Sequence, residues 1–220
     1  MRYTCSLKHM KKIGWLLVMG FALMGAASDR PAPQSVWEWM ATEHRFLQRY
    51  LAVIRQAAHD YRYDYQTPAL LMPVAMDLFT GYVAHVHAIE EQCIYPVLRP
   101  HMTTELQQKH LALIEGDQRS EGETVKRWAE QLAQHVEGEK WAVEAETIDY
   151  VGQLVNRHLV LQEKHLFPVL EELTSSEQAA ILANIANYEP QAFGLEGRGR
   201  YRQLLEDIEE QITLIAGRIW

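Results

Sequence analysis

His87 and Glu91 stand four residues apart in HAIEE, and in HLVLQE His158 precedes Gln162 by four residues and Glu163 by five. Residues four apart on a helix share a face, offset by about 40°. A histidine and an acid so placed can give an imidazole and a carboxylate to one metal ion, or serve two ions through a bridging carboxylate. Each phrase ends in an aromatic residue, a proline and Val-Leu, with Pro96 and Pro168 72 residues apart. One histidine-acid pair is weak evidence, because 29 of the 220 residues are acidic. The recurrence is stronger. His44 in TEHRFL and His110 in QKHLAL each precede one of the phrases. Histidines that merely satisfy a core hydrogen bond have no reason to recur in duplicated positions.

The elements that must position these residues read as helices, since no stretch sustains period-2 alternation. Ser35 and Glu38 form a capping box before a helix running to about Asp60, with Val36, Met40, Leu47, Leu51 and Ile54 on one stripe. His44 lies on that stripe and is expected to face inward. YRYDYQ reads as a connection, and Thr67-Pro68 as the start of a second helix, which Pro73 can shift or kink. That helix carries the first phrase and stops near Pro96. Thr104 and Gln107 cap a third helix, which Gly138 stops; a fourth runs from about Lys140 to Pro168. Thr174 and Glu177 open a short fifth helix, and the glycine-rich FGLEGRGR leads to a last one. The fold class expected is all-α: an antiparallel four-helix bundle with up-down-up-down topology, plus C-terminal helices. Each half is a helix hairpin, so an internal duplication explains the repeated phrase. Mixed imidazole and carboxylate ligation inside such a bundle suits iron, manganese or zinc.

With its histidine, His-x-x-x-Glu, histidine, and second histidine-carboxylate motif, the sequence resembles the hemerythrin-like, or HHE cation-binding, family. The pattern falls on His44, His87 to Glu91, His110, and His158 to Glu163, with IYP and LFP supplying the turns. The resemblance covers about Val36 to Leu173. It implies a four-helix bundle around a non-haem, usually di-iron, centre. It also implies oxygen or nitric-oxide chemistry, iron handling or redox sensing. The metal ligands expected are His44, His87, Glu91, His110, His158 and Glu163.

Gln162 is where the two phrases differ. A neutral amide is a poor bridge between two cations. Counting back from the prolines favours Glu163, since Glu91 and Glu163 each lie five residues before one. A regular helix turns Glu163 about 140° from His158, so a local bulge is expected there. The same count makes Glu90 and His85 reserves on the second helix. Ile114, four residues after His110, offers no further ligand, although relatives often carry histidines on the third helix. His165 lies nearly on the face of His158 and is a further candidate, or a helix-end residue near carbonyls. His59, His101 and His135 fit no spacing and read as surface. Tyr82 reads as core packing.

The formal charge of −8 argues against nucleic acid as a partner. At the N-terminus, MKKIGWLLVMGFALMGAAS from Met10 has two lysines, a short apolar run and small residues. This is the layout of a secretory signal, residues 1–27, with Met10 a possible true start. An uncleaved membrane anchor is the alternative. Residues 28–173 then form the bundle and 174–220 a C-terminal helical extension. Cleavage would leave Cys93 as the sole cysteine, without an internal disulfide and placed as a small core residue. The reading is an exported, periplasmic or secreted iron protein, with manganese or zinc possible, that takes oxygen, nitric oxide or a peroxide. It is read as a binding or sensing protein more than an enzyme. The alternatives are a metal-dependent oxidoreductase and a metal-free bundle. The latter would dock a partner through Leu204, Ile208, Ile212 and Ile215 of the last helix.

Overall fold

The computed structural model describes residues 33–61, 77–133, 141–194 and 198–216. They form α1 (Val36–Tyr61), a composite α2 (78–101), α3 (Glu105–Ala133), α4 (Trp141–His165), α5 (Phe167–Glu172), α6 (Ser175–Phe193) and α7 (Gly199–Ala216). No strand occurs among the described residues. The signal segment, the YRYDYQ connection, Thr67-Pro68, Pro73, His59, His135 and the Gly138 stop lie outside the described residues or side chains. No described helix is long and apolar enough to cross a membrane.

The caps of α3 and α6 do what their sequence implies. Thr104 and Gln107 exchange both capping bonds before α3 (3.2 and 3.0 Å), and Thr174 and Glu177 do the same before α6 (3.3 and 2.9 Å). At α1, Glu38 N–H donates to Ser35 Oγ (3.0 Å), but Glu38 Oε2 accepts from Gln34 N–H rather than from Ser35. The fourth helix ends at His165 and restarts as α5, with Leu170 N–H donating to Leu166 O across the break. Gly194 ends α6 at φ 71°, in the left-handed region where a side chain would be strained.

Buried stripes turn each helix toward a common core. On α1 they are Met40, Leu47, Leu51 and Ile54; on α3 Leu111, Ile114, Val125 and Trp128; on α4 Ile148, Val151, Val155 and Leu159. Burial of each such side chain gains roughly 1.5–3 kcal/mol, more than helix propensity offers. Helix α1 packs on α4, α4 on α3, and α3 on the start of α2. Phe46 of α1 meets Tyr82 of α2 at 4.6 Å between ring centres, joining the remaining pair. The C-terminal helices pack on this bundle: α6 along α2, and α7 along α1. Tyr201, Leu205 and Ile208 of α7 are buried, so this helix covers the chain's own bundle; Ile212 and Ile215 lie beyond the described side chains.

Two wide turns interrupt α2, over Leu78–Val83 and Glu90–Ile94. At the second, Tyr95 N–H donates to the carbonyl of Glu90, five residues back. Pro96 lacks an N–H, as does Pro168, and each removes a helical hydrogen bond. The backbone response is the same in both halves. Ile94 and Leu166, each two residues before the proline, have φ near −100° (−100° and −96°), and a new helical segment starts after each. Such wide turns recur at functional sites.

Candidate metal centre

Three helices bring His87 (α2), Glu121 (α3) and His158 (α4) together in the core. Their ligand atoms all lie within 4.8 Å of one another, and all three side chains are buried. The His87 and His158 rings are 4.8 Å apart. His158 Nδ1 lies 3.2 Å from both Glu121 oxygens, and His87 Nε2 lies 3.7 Å from Glu121 Oε2. Nε2 of His87 and Nε2 of His158 are buried without a hydrogen-bond partner. Buried polar atoms are nearly always partnered, so two orphaned imidazole nitrogens beside a carboxylate call for an explanation. A cation supplies one: the set offers two nitrogen lone pairs and one negative charge, and suits iron, manganese or zinc.

The protonation tendencies differ between the two rings: His87 is held neutral, whereas His158 is drawn toward its protonated form, whose proton a cation must displace. Burial, then the neighbouring His158, holds the His87 pKa well below its ordinary 6.5, leaving a neutral ring with a lone pair to give. Burial also pulls His158 down. The hydrogen bond and charge of Glu121, with Glu90 and Gln162, outweigh it and leave the His158 pKa raised. A cavity of about 280 Å³ reaches this cluster. Its walls include Val83, Val125 and Val155, and His87 and Glu121 lie in its lining.

One helical turn away on the same three helices lies a second polar group: Glu90 (α2), Gln118 (α3) and Gln162 (α4), all buried. Glu90 Oε2 accepts from Gln118 Nε2 (2.6 Å), Gln162 Nε2 (2.7 Å) and the Tyr95 hydroxyl (3.0 Å). The Tyr95 oxygen in turn accepts from Gln118 and Gln162 (2.9 and 2.8 Å). A carboxylate only accepts, so Gln162 must turn its NH2 to Glu90 and its oxygen outward. That oxygen meets His44 Nε2 at 2.9 Å. His44 Nδ1 meets Glu163 Oε1 at 3.0 Å, and the Phe167 ring lies 5.2 Å from the imidazole. The aromatic residue before each proline therefore lines this layer, Tyr95 through its hydroxyl and Phe167 through its ring face.

The expected ligands divide accordingly. His87 and His158 are in the converging cluster. His44 is buried as expected, with both nitrogens engaged by Gln162 and Glu163. Glu91 is exposed, and Glu90 takes the inward place beside it. Helix α4 stays regular through His165 without a bulge; Gln162 faces inward, and the Glu163 side chain is 43% exposed. His110 is half-buried and stacks on His165 with ring centres 3.5 Å apart, outside the cluster. Burial and His110 lower the His165 pKa. His85 lies edge-on to Phe193.

Glu121 and Gln118 were not among the expected ligands and Glu90 stood only in reserve, yet a signal for all three exists. Leu111, Ile114, Gln118, Glu121, Val125 and Trp128 recur at alternating intervals of three and four, so an amide and an acid sit on an apolar stripe. Glu90 continues the stripe of Val83 and Val86; Glu91 is turned about 100° further round. Gln162 likewise lies on the stripe of Val151, Val155, His158 and Leu166, and Glu163 off it.

Residues 35–170 match the family described as the hemerythrin HHE cation binding domain. No curated protein and no solved structure matches the chain at significant similarity.

Proposed function

The chain belongs to the hemerythrin HHE cation-binding family, and on that premise we propose that it is an exported non-haem iron protein that binds a diatomic gas or a peroxide. The observation that carries this reading is the buried His87–Glu121–His158 cluster, whose ligand atoms lie within 4.8 Å of one another and in which Nε2 of each histidine has no hydrogen-bond partner. His87 and His158 serve as imidazole ligands, and Glu121 supplies the compensating charge. Iron, when bound, contributes redox activity and a coordination position for oxygen, nitric oxide or peroxide. The valines of the cavity set apolar surface beside the cluster, where charges interact more strongly than in bulk water. Export rests on the Met10 to Ala27 layout.

Elemental analysis of protein purified from its producing cell, with visible spectra before and after nitric oxide, tests the reading. Iron should be present, respond to nitric oxide, and be lost in His87→Ala and His158→Ala while His110→Ala keeps it. Protein without bound metal, or metal that persists in the first two variants, would overturn it. A second reading, a metal-dependent oxidoreductase, draws on the cavity. Its 280 Å³ exceeds the ~150 Å³ that holds a benzene, so an organic substrate fits where a diatomic gas needs far less. Consumption of an added organic hydroperoxide by the iron-loaded protein would favour it.

A further inference from the structure

We propose that this chain holds one divalent cation rather than two, because the layer beside the His87–Glu121–His158 cluster is closed by hydrogen bonds to Gln162. The inference rests on the metal site proposed above.

Three helices each contribute one residue to both layers: His87 and Glu90 from α2, Glu121 and Gln118 from α3, His158 and Gln162 from α4. Within each pair the residues are three or four apart, which sets the layers about one turn, or roughly 5 Å, from each other. That suits two neighbouring ions, but the chemistry of the layers differs. The first has two imidazoles with orphaned nitrogens and a carboxylate. The second has one carboxylate and two amides. Three donors, from Gln118, Gln162 and Tyr95, already point at Glu90 Oε2. Their NH and OH hydrogens occupy the space in front of that oxygen where a cation would sit. His44, the imidazole that meets Gln162, has both nitrogens engaged.

Charge leads to the same count. Glu121 and Glu90 are the carboxylates buried in these layers. Two negative charges balance one divalent ion; a second would leave two positive charges uncompensated in the core, which is expensive. Glu90 Oε1 and Gln118 Oε1 remain without a partner. Together they carry one carboxylate's charge, already counted in that balance. Gln162 is the deciding residue. A carboxylate in its place would face Glu90 at the same 2.7 Å, and two carboxylates so close require a cation or a proton between them.

The test is to load the full chain and Gln162→Glu with excess Mn(II), remove unbound ion by gel filtration, count manganese per chain, and record the electron paramagnetic resonance spectrum. One ion per wild-type chain with an uncoupled spectrum, rising to two coupled ions in Gln162→Glu, is the expected result. Two ions per wild-type chain would overturn the proposal. A folded Gln162→Glu that stays at one ion overturns the role given to the amide. If Gln162→Glu does not fold, the wild-type count alone decides. A wild-type chain that binds none, or whose single ion survives His87→Ala, defeats the underlying site, and the inference with it; that outcome differs from a count of two.

Discussion

Glu121 is 2% exposed between two imidazoles, and a buried carboxylate without a compensating positive charge is costly. Its charge is therefore the strongest attraction the cluster offers to a cation. Glu121→Gln keeps the shape and removes the charge. It should weaken Mn(II) or Fe(II) binding by more than about 100-fold, since even partners behind metal ligands cost 10–100-fold when lost. Glu91→Gln, on the exposed side of α2, should change affinity by less than about twofold. Isothermal titration of the two variants decides between the acid on the apolar stripe and the acid in the histidine motif. Equal losses would return Glu91 to the site.

At the scale of the element, the first wide turn of α2 lets another helix approach. Gly81 lies within it, and a Cβ added there would overlap the Tyr201 hydroxyl and come within 3.0 Å of Cζ of that ring. Tyr201 is 3% exposed and packs against Tyr82 at 5.2 Å between ring centres, so it has little room to withdraw. Gly81→Ala should destabilise the protein by about 1–3 kcal/mol, the range for overpacking a core. Tyr201→Phe in the same chain removes the overlapping oxygen and should recover part of that loss. Urea unfolding of the two single variants and the double variant measures the coupling. Strict additivity would show that α7 does not press on this turn.

Across the whole molecule, a buried ion pair ties the C-terminal helices to the bundle. Arg198, just before α7, pairs with Glu43 of α1 and with Glu189 of α6 (2.6 Å), and its guanidinium lies 4.7 Å from the centre of the Trp39 ring. Glu43 is 1% exposed and also accepts from the Tyr82 hydroxyl. Removing one partner of a buried pair leaves a charge without compensation. Arg198→Met should cost about 3–5 kcal/mol. Glu43→Gln with Arg198→Met should restore much of it, because the orphaned charge goes too. Denaturant melts test this, and limited proteolysis should cut the α6–α7 region faster in the single variant. A single variant as stable as the parent would show that the pair contributes nothing to docking.

The order of the described helices, the caps of α3 and α6 and the inward set of apolar residues were legible in the sequence, because they depend on neighbours within a turn or two. Thr104 with Gln107 and Thr174 with Glu177 close their own helix ends whatever the rest of the chain does. The duplicated phrase likewise pointed to His87 and His158, and counting back from its prolines pairs Glu90 with Gln162 and Glu91 with Glu163, although the same count sets His158 against Val86 rather than His87. Which member of each adjacent pair turns inward is a finer matter. One residue is 100° of rotation, and the choice is made by the packing of α2, α3 and α4 around a shared axis. The motif spacing drew attention to Glu91 and Glu163, whereas the apolar stripes place Glu90 and Gln162 in the core. Glu121 belongs to no histidine motif at all. It reaches the cluster only because α3 lies between α2 and α4 in space, 34 residues from His87 and 37 from His158 in the chain. Local spacing decides what a helix can present; only tertiary packing decides what it meets.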